Sequence, residues 1–148
     1  MCDLQLRSTI LDLLREMESN LYAVLQPIYA PHQITVLQGR ALLEISRRRA
    51  VTIGELAVSL GMACANTSTL CKRLEASGFV LRSRKKEDER VVQISLTEKG
   101  AAVLREVEKS IEESRAAVTE GQTQQDIDDI VLGLKKLNGM LKKITEKE

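Results

Sequence analysis

Two short helical segments joined by a tight glycine turn, a charged hairpin directly behind them, and apolar stripes at both chain ends predict a mainly α fold. The expected architecture is a winged helix-turn-helix with a small two- or three-stranded β-wing. Its N- and C-terminal helices bury their stripes within their own fold or across a homodimer. Composition agrees. Apolar residues make up 43% of the 148 and aromatics only 2%, so the core must be aliphatic, and with only two prolines the chain favours helices.

The first segment places Leu6, Ile10, Leu13, Leu14, Met17, Leu21, Val24 and Leu25 at spacings of three and four, the pattern of an amphipathic helix. Pro27 and Pro31 are expected to bracket a break. A second helix is expected near 36–49, with Leu37, Ala41, Leu42 and Ile45 inward and the arginines at 47–49 closing it. "TIGELAVSLG" has both helix signals: Thr52 with Glu55 forms a capping box, and Gly61 stops the helix. The next helix is expected from about Ala63 to Gly78.

Phe79 to Arg84 and Val91 to Leu96 read as two short strands around a charged loop, Lys85 to Arg90. Thr97 opens a long helix to about Thr119, with Leu104, Val107 and Ile111 in a rhythm that continues to Val118. Gly121 breaks it. Thr123 and Asp126 start a last helix carrying Ile127, Ile130, Leu134, Leu137, Leu141 and Ile144.

Net charge is +1, but residues 40–96 carry +5 and the flanking stretches −2 each. A basic middle between acidic ends points to a centrally placed polyanion site, or to a solvated charged face. On a wheel of about 100° per residue, Leu70 and Leu74 of the second short helix fall inward, followed by Thr67, Cys71 and Cys64. Ala65, Ser68, Thr69 and Lys72 fall on the opposite side, flanked by Arg73 and Asn66. Small side chains let a helix approach base edges: Ser and Thr bond several bases, Asn suits adenine, and an alanine methyl touches a thymine methyl. Lys72 and Arg73 suit phosphates. The hairpin adds Arg82, Arg84, Lys85, Lys86 and Arg90, with Arg82, Arg84 and Lys86 on one side by alternation and Asp88 pairing with Arg90.

The run "LAVSLGMACANTSTLCKRLEASGFVLRSRKKEDERVVQISLTEKG" resembles the winged-helix core of the multiple antibiotic resistance regulator (MarR) family, and the upstream "ITVLQGRALLEI" resembles its preceding helix. Asp88-Glu89-Arg90 is similar to the family's Asp-x-Arg wing motif, and "ISLTEKG" to its strand-to-helix junction. The resemblance implies one domain over 1–148, with a DNA-binding core at about 33–97 and dimerisation helices at about 1–30 and 98–148. It implies a cytoplasmic transcription regulator, most often a repressor, that binds a palindromic site on double-stranded DNA as a homodimer. Release would come from a small molecule or thiol oxidation. It carries Arg90 to the minor groove, Asp88 to holding the wing, and Ala65, Asn66, Ser68 and Thr69 to base reading. Members often have basic residues near the places of Cys64 and Thr69, and Glu89 replaces a commonly basic one. Guanine reading by an arginine at the front of the helix is therefore not expected, and affinity should lean on Lys72, Arg73 and the wing.

The cysteines, Cys2, Cys64 and Cys71, are odd in number and lack metal-like spacing, which fits reduced thiols. Cys64 and Cys71 lie about 10.5 Å apart along a helix, too far for a disulfide. Both are expected to pack beneath the reading face as small apolar residues, with a redox role as the rival reading and Cys2 as an intermolecular candidate. His32 is the sole histidine, so no metal site and no cofactor is expected. No glycine-rich phosphate loop, nucleophile elbow or His-paired nucleophile supports an enzyme. No apolar run approaches the ~20 residues of a membrane span, and the N-terminus does not read as a signal peptide. Any effector pocket would be mainly aliphatic, for a small apolar molecule. The rival from another class is a winged-helix protein-interaction module without operator binding.

Overall fold

The computed structural model describes residues 3–85 and 88–145. Helix α1 spans Asp3–Tyr29, and a 3₁₀ turn follows at Ala30–His32. Then come α2 (Val36–Arg48), β1 (Ala50–Thr52), α3 (Ile53–Leu60), α4 (Cys64–Ala76), β2 (Val80–Lys85), β3 (Asp88–Leu96), α5 (Glu98–Thr119) and α6 (Gln124–Thr145). The strands form one antiparallel sheet in the order β1-β3-β2. The chain divides into two compact units, 1–111 and 112–148.

The first unit holds the core. Leu42 and Ile45 of α2, Val51 of β1, Leu56 of α3, Leu74 of α4 and Ile94 of β3 are all buried in one aliphatic cluster. Val51 stands opposite Ile94, and Val80 of β2 opposite Leu96, so one face of the sheet lies against the helices. The strand at Ala50–Thr52 was not located from the sequence. Three residues are too few to show alternation, and this strand exists only by pairing with residues 93–95 of β3.

Two helix expectations are corrected. Pro27 does not break the first helix, which continues to Tyr29. An interior proline removes one hydrogen bond, yet the residues after it are pinned: Ile28 packs against the core and Tyr29 is buried. The Tyr29 ring lies where a side chain at Gly39 would have to sit. The break falls instead at the 3₁₀ turn with Pro31, where Gln33 takes φ 57°. Leu37 is not inward but 36% exposed, because it sits in the first turn of α2, ahead of the buried run from Gly39.

The helix starts have local causes. Thr35 Oγ1 accepts from the Gln38 amide (3.1 Å) and the Gln38 side chain accepts from the Thr35 amide (2.8 Å), a capping box absent from the sequence reading. Thr52 and Glu55 form the expected one. Gly61 at φ 65° lets the Met62 amide reach the Ala57 carbonyl (2.9 Å), ending α3 and turning the chain into α4.

In the second unit, the Thr123 amide donates to Asp126 Oδ2 (2.7 Å) and the Thr123 hydroxyl does so at 2.6 Å, capping α6. These bonds hold the Asp126 carboxyl below its usual pKa. The cap is therefore fully formed at neutral pH and is lost as pH falls through that depressed value. None of the residues at 112–115 and 119–143 is buried, and Ile130, Leu134 and Leu141 of α6 are exposed.

Candidate nucleic-acid interface

Helix α4 is held by its apolar side. Thr67, Leu70, Cys71 and Leu74 are buried, and the Thr67 hydroxyl is satisfied by the Ala63 carbonyl at 3.1 Å. The rest of the helix faces out: Ala65, Asn66, Thr69, Lys72 and Arg73 are exposed and Ser68 is half-buried. No side chain caps the start of α4, where Ala63 holds the N-cap position. The first amides of the helix therefore stay available for an anion such as a phosphate.

Cys64 is a correction. It is exposed, while Cys71 is buried. A helical wheel gives an angle but no height along the axis, and Cys64 stands at the first position of α4, one turn ahead of Thr67, where the core begins. Burial pushes the Cys71 thiol up, against the opposing pull of nearby Arg82. That keeps it protonated and unreactive.

The sheet sorts the wing cations. Arg82 stands opposite buried Ile94, on the core side of β2, and is half-buried near Cys71. Arg84 and Arg90 are exposed. The register of β2 against β3 shifts between Arg84 and Lys85. Cys2, Lys86 and Glu87 lie outside the described residues, as do the side chains of Lys85, Asp88 and Glu89, so the expected Asp88–Arg90 pairing falls outside them too.

The junction behind the reading helix is built by the "ISLTEKG" stretch together with residues 77–79. The Thr97 hydroxyl donates to the Gly78 carbonyl (2.6 Å) and accepts from the Gly100 amide (3.0 Å). The Lys99 ammonium donates to the Ser77 carbonyl (2.7 Å) and lies 4.7 Å from the Phe79 ring centroid. These bonds tie the C-terminal end of α4 and the start of the wing to α5. The motif was legible but its partners were not, since the groups met by Lys99 and Gly100 lie some twenty residues earlier in the chain.

Beside this junction lies a cleft of about 460 Å³ reached by His32, Ser77, Phe79, Lys99 and Val103. His32 Nδ1 is 3.5 Å from Glu106 Oε2. Its lining mixes polar and apolar groups. Among the described residues no group of three or more Cys, His, Asp or Glu could hold a metal ion, and no helix is long and apolar enough to cross a membrane.

The MarR family sequence profile matches residues 34–92, which take in α2, the helix pair and most of the wing. The organic hydroperoxide resistance transcriptional regulator of Bacillus subtilis is 32% identical over 114 residues, covering 77% of this chain and 66% of that protein. The chain belongs to the MarR family. A MarR family protein from Bacillus stearothermophilus superposes with a TM-score of 0.78 at 29% identity, over 96% of this chain and 99% of that one. A MarR variant from E. coli, solved in complex with operator DNA, shares the fold at TM-score 0.78 and 24% identity, over 85% and 91% of the two chains. Other curated relatives are matched over only 37% and 42% of their own length. The matched relatives are named as transcriptional regulators, in line with the non-enzyme expectation for this MarR chain.

Proposed function

We propose that this chain is a sequence-specific DNA-binding transcription regulator, a repressor that binds a palindromic operator as a homodimer. The observation that carries this is the outward face of α4. Its front is small and polar, and Lys72 and Arg73 stand exposed behind it without an ion-pair partner among the described residues. Such a face suits the major groove, with the two cations and the uncapped helix start on phosphates. The E. coli relative of the same fold was captured on its operator. Arg84 and Arg90 on the exposed wing suit the adjacent minor groove and backbone. Arg82, half-buried on the core side of β2, stands near Cys71 of α4 and is a weaker candidate for DNA contact.

Arg90→Ala is expected to weaken operator binding by about thirtyfold to a thousandfold, since each of the two protomers of a dimer loses one contact worth ~1–2 kcal/mol. Fluorescence anisotropy on a labelled duplex reads this, with far-UV circular dichroism confirming the fold. Unchanged affinity removes the wing from the interface.

The homodimer is supported by the uncovered apolar residues of α1 and α6, among them Leu21, Tyr22, Leu134 and Leu141. Two copies of α4 would then meet half-sites ~34–36 Å apart. The effector reading is supported by the cleft beside Lys99 and His32, next to the junction that positions α4. Thiol-based release is supported by the exposure of Cys64 on the reading helix. Cys64→Ser is then expected to abolish release from DNA by peroxide. Release that persists in a protein lacking all three thiols ends the redox reading. Failure to bind any duplex in preference to random DNA favours the protein-interaction module.

A further inference from the structure

The sequence leaves open whether Thr69 offers DNA a hydroxyl or a methyl group. The structure decides this. Thr69 Oγ1 donates to the Ala65 carbonyl at 3.1 Å, within its own helix. Its single hydroxyl proton is thereby used, so this exposed side chain has no donor left for a base. Its oxygen keeps an acceptor lone pair, but with the hydroxyl turned back onto the helix the γ-methyl is the group that this side chain adds to the outward face.

Ala65, one turn earlier on the same face, is also exposed and ends in a methyl. Side chains four apart on a helix have Cβ atoms ~5–6 Å from each other, so the two methyls form one small apolar patch within a polar face. Asn66 beside them is exposed, and its amide has no partner among the described residues. No lysine or arginine stands in the first two turns of α4; the first are Lys72 and Arg73.

We infer that the front of α4 is a thymine-methyl reader: Ala65 and Thr69 pack on thymine C5-methyl groups of an A·T half-site, while the Asn66 amide takes an adenine edge. The chemistry follows from the major-groove code. Thymine alone presents a methyl there, and adenine presents the donor-acceptor pair that an amide matches. Guanine offers two acceptors, which call for a long cationic fork that this part of the helix lacks. The one side-chain donor of the Ala65–Thr69 patch is already used inside the helix, so contact with methyls leaves no donor unpaired. The inference rests on the DNA-binding reading above and adds which bases are read and by which atoms.

The test begins with duplexes selected by the full-length protein from a pool of random sequence. The best duplex is then resynthesised with deoxyuridine in place of every thymidine, which keeps base pairing and removes only the C5-methyls. Wild-type affinity is expected to fall about fourfold for each methyl contacted. Restoring thymidine at the positions beneath α4 is expected to recover it. Thr69→Ser keeps the hydroxyl and its bond to Ala65 but lacks the methyl. On the thymidine duplex it should bind more weakly than wild type, and its further loss on deoxyuridine should be smaller by the same factor.

Equal wild-type affinity for the two duplexes overturns the inference while leaving DNA binding in place. So does an identical deoxyuridine loss in wild type, Thr69→Ser and Ala65→Gly, because the methyls would then act through duplex shape. Selection of half-sites rich in G·C overturns it as well. A chain that enriches no duplex from the pool removes the DNA-binding reading, and the inference with it.

Discussion

Leu134→Asp is expected to convert the protein from dimer to monomer and to weaken operator binding at least about a hundredfold. Ile130, Leu134, Leu137 and Leu141 recur at spacings of four, three and four along α6, the rhythm of a helix seam. Leu134 is 44% exposed and Ile130 55% exposed, and no residue at 119–143 is buried. A carboxylate placed in a seam that a second copy covers loses its water without gaining a partner. Each winged helix would then bind alone. Losing the linkage between two half-sites costs roughly 10²–10⁴ in apparent affinity. Sedimentation equilibrium measures the first effect and anisotropy titration the second. Helix content should be retained, because the side chain contributes little to packing within its own chain. A Leu134→Asp protein that stays dimeric, or that binds as tightly as wild type, places the dimer contact elsewhere.

Gly100→Ala is expected to destabilise the fold by about 3 kcal/mol, near the upper end for overpacking a tight site. A Cβ at this position would overlap the Phe79 carbonyl group. The clash is with backbone, so no side chain can rotate away from it. Both sides are also fixed: the Phe79 carbonyl accepts from the Thr97 amide (3.0 Å) and the Gly100 amide donates to the Thr97 hydroxyl. Relief requires moving the start of α5 away from the end of α4, which breaks the bonds that aim the reading helix. For a chain of this size the melting temperature should drop by roughly 10 °C. Gly54→Ala is the control, since in α3 the nearest atom a Cβ would meet is Thr52 Oγ1 at 4.0 Å. It should be neutral or slightly stabilising. Equal melting temperatures for Gly100→Ala and wild type contradict the packing described at the junction.

The parts of this fold that could be read in the sequence are those fixed by neighbours in the chain. The Thr52–Glu55 box and Gly61 place α3 to the residue, because a cap and a left-handed glycine act within four positions. Burial of Leu70, Leu74 and Thr67 follows from helical period alone. What escaped the sequence depends on distant partners. Strand β1 needs β3 more than forty residues on. Pro27 stays helical because Tyr29 docks against Gly39. Cys64 is exposed because the core begins one turn later, a fact of height that no wheel encodes. At the candidate interface the residue types were legible, but the state of Thr69 was not. Whether its hydroxyl is free or bonded to Ala65 is a matter of rotamer.

The central claim is that two copies of α4 read one operator. It is tested most directly by anisotropy titration of the full-length protein against duplex DNA from upstream of its own gene, with excess random duplex at about 150 mM salt. One dimer per duplex is expected to bind in the face of the competitor and to protect two half-sites about one helical turn apart. Binding that random DNA abolishes in equal measure for every upstream duplex would contradict it.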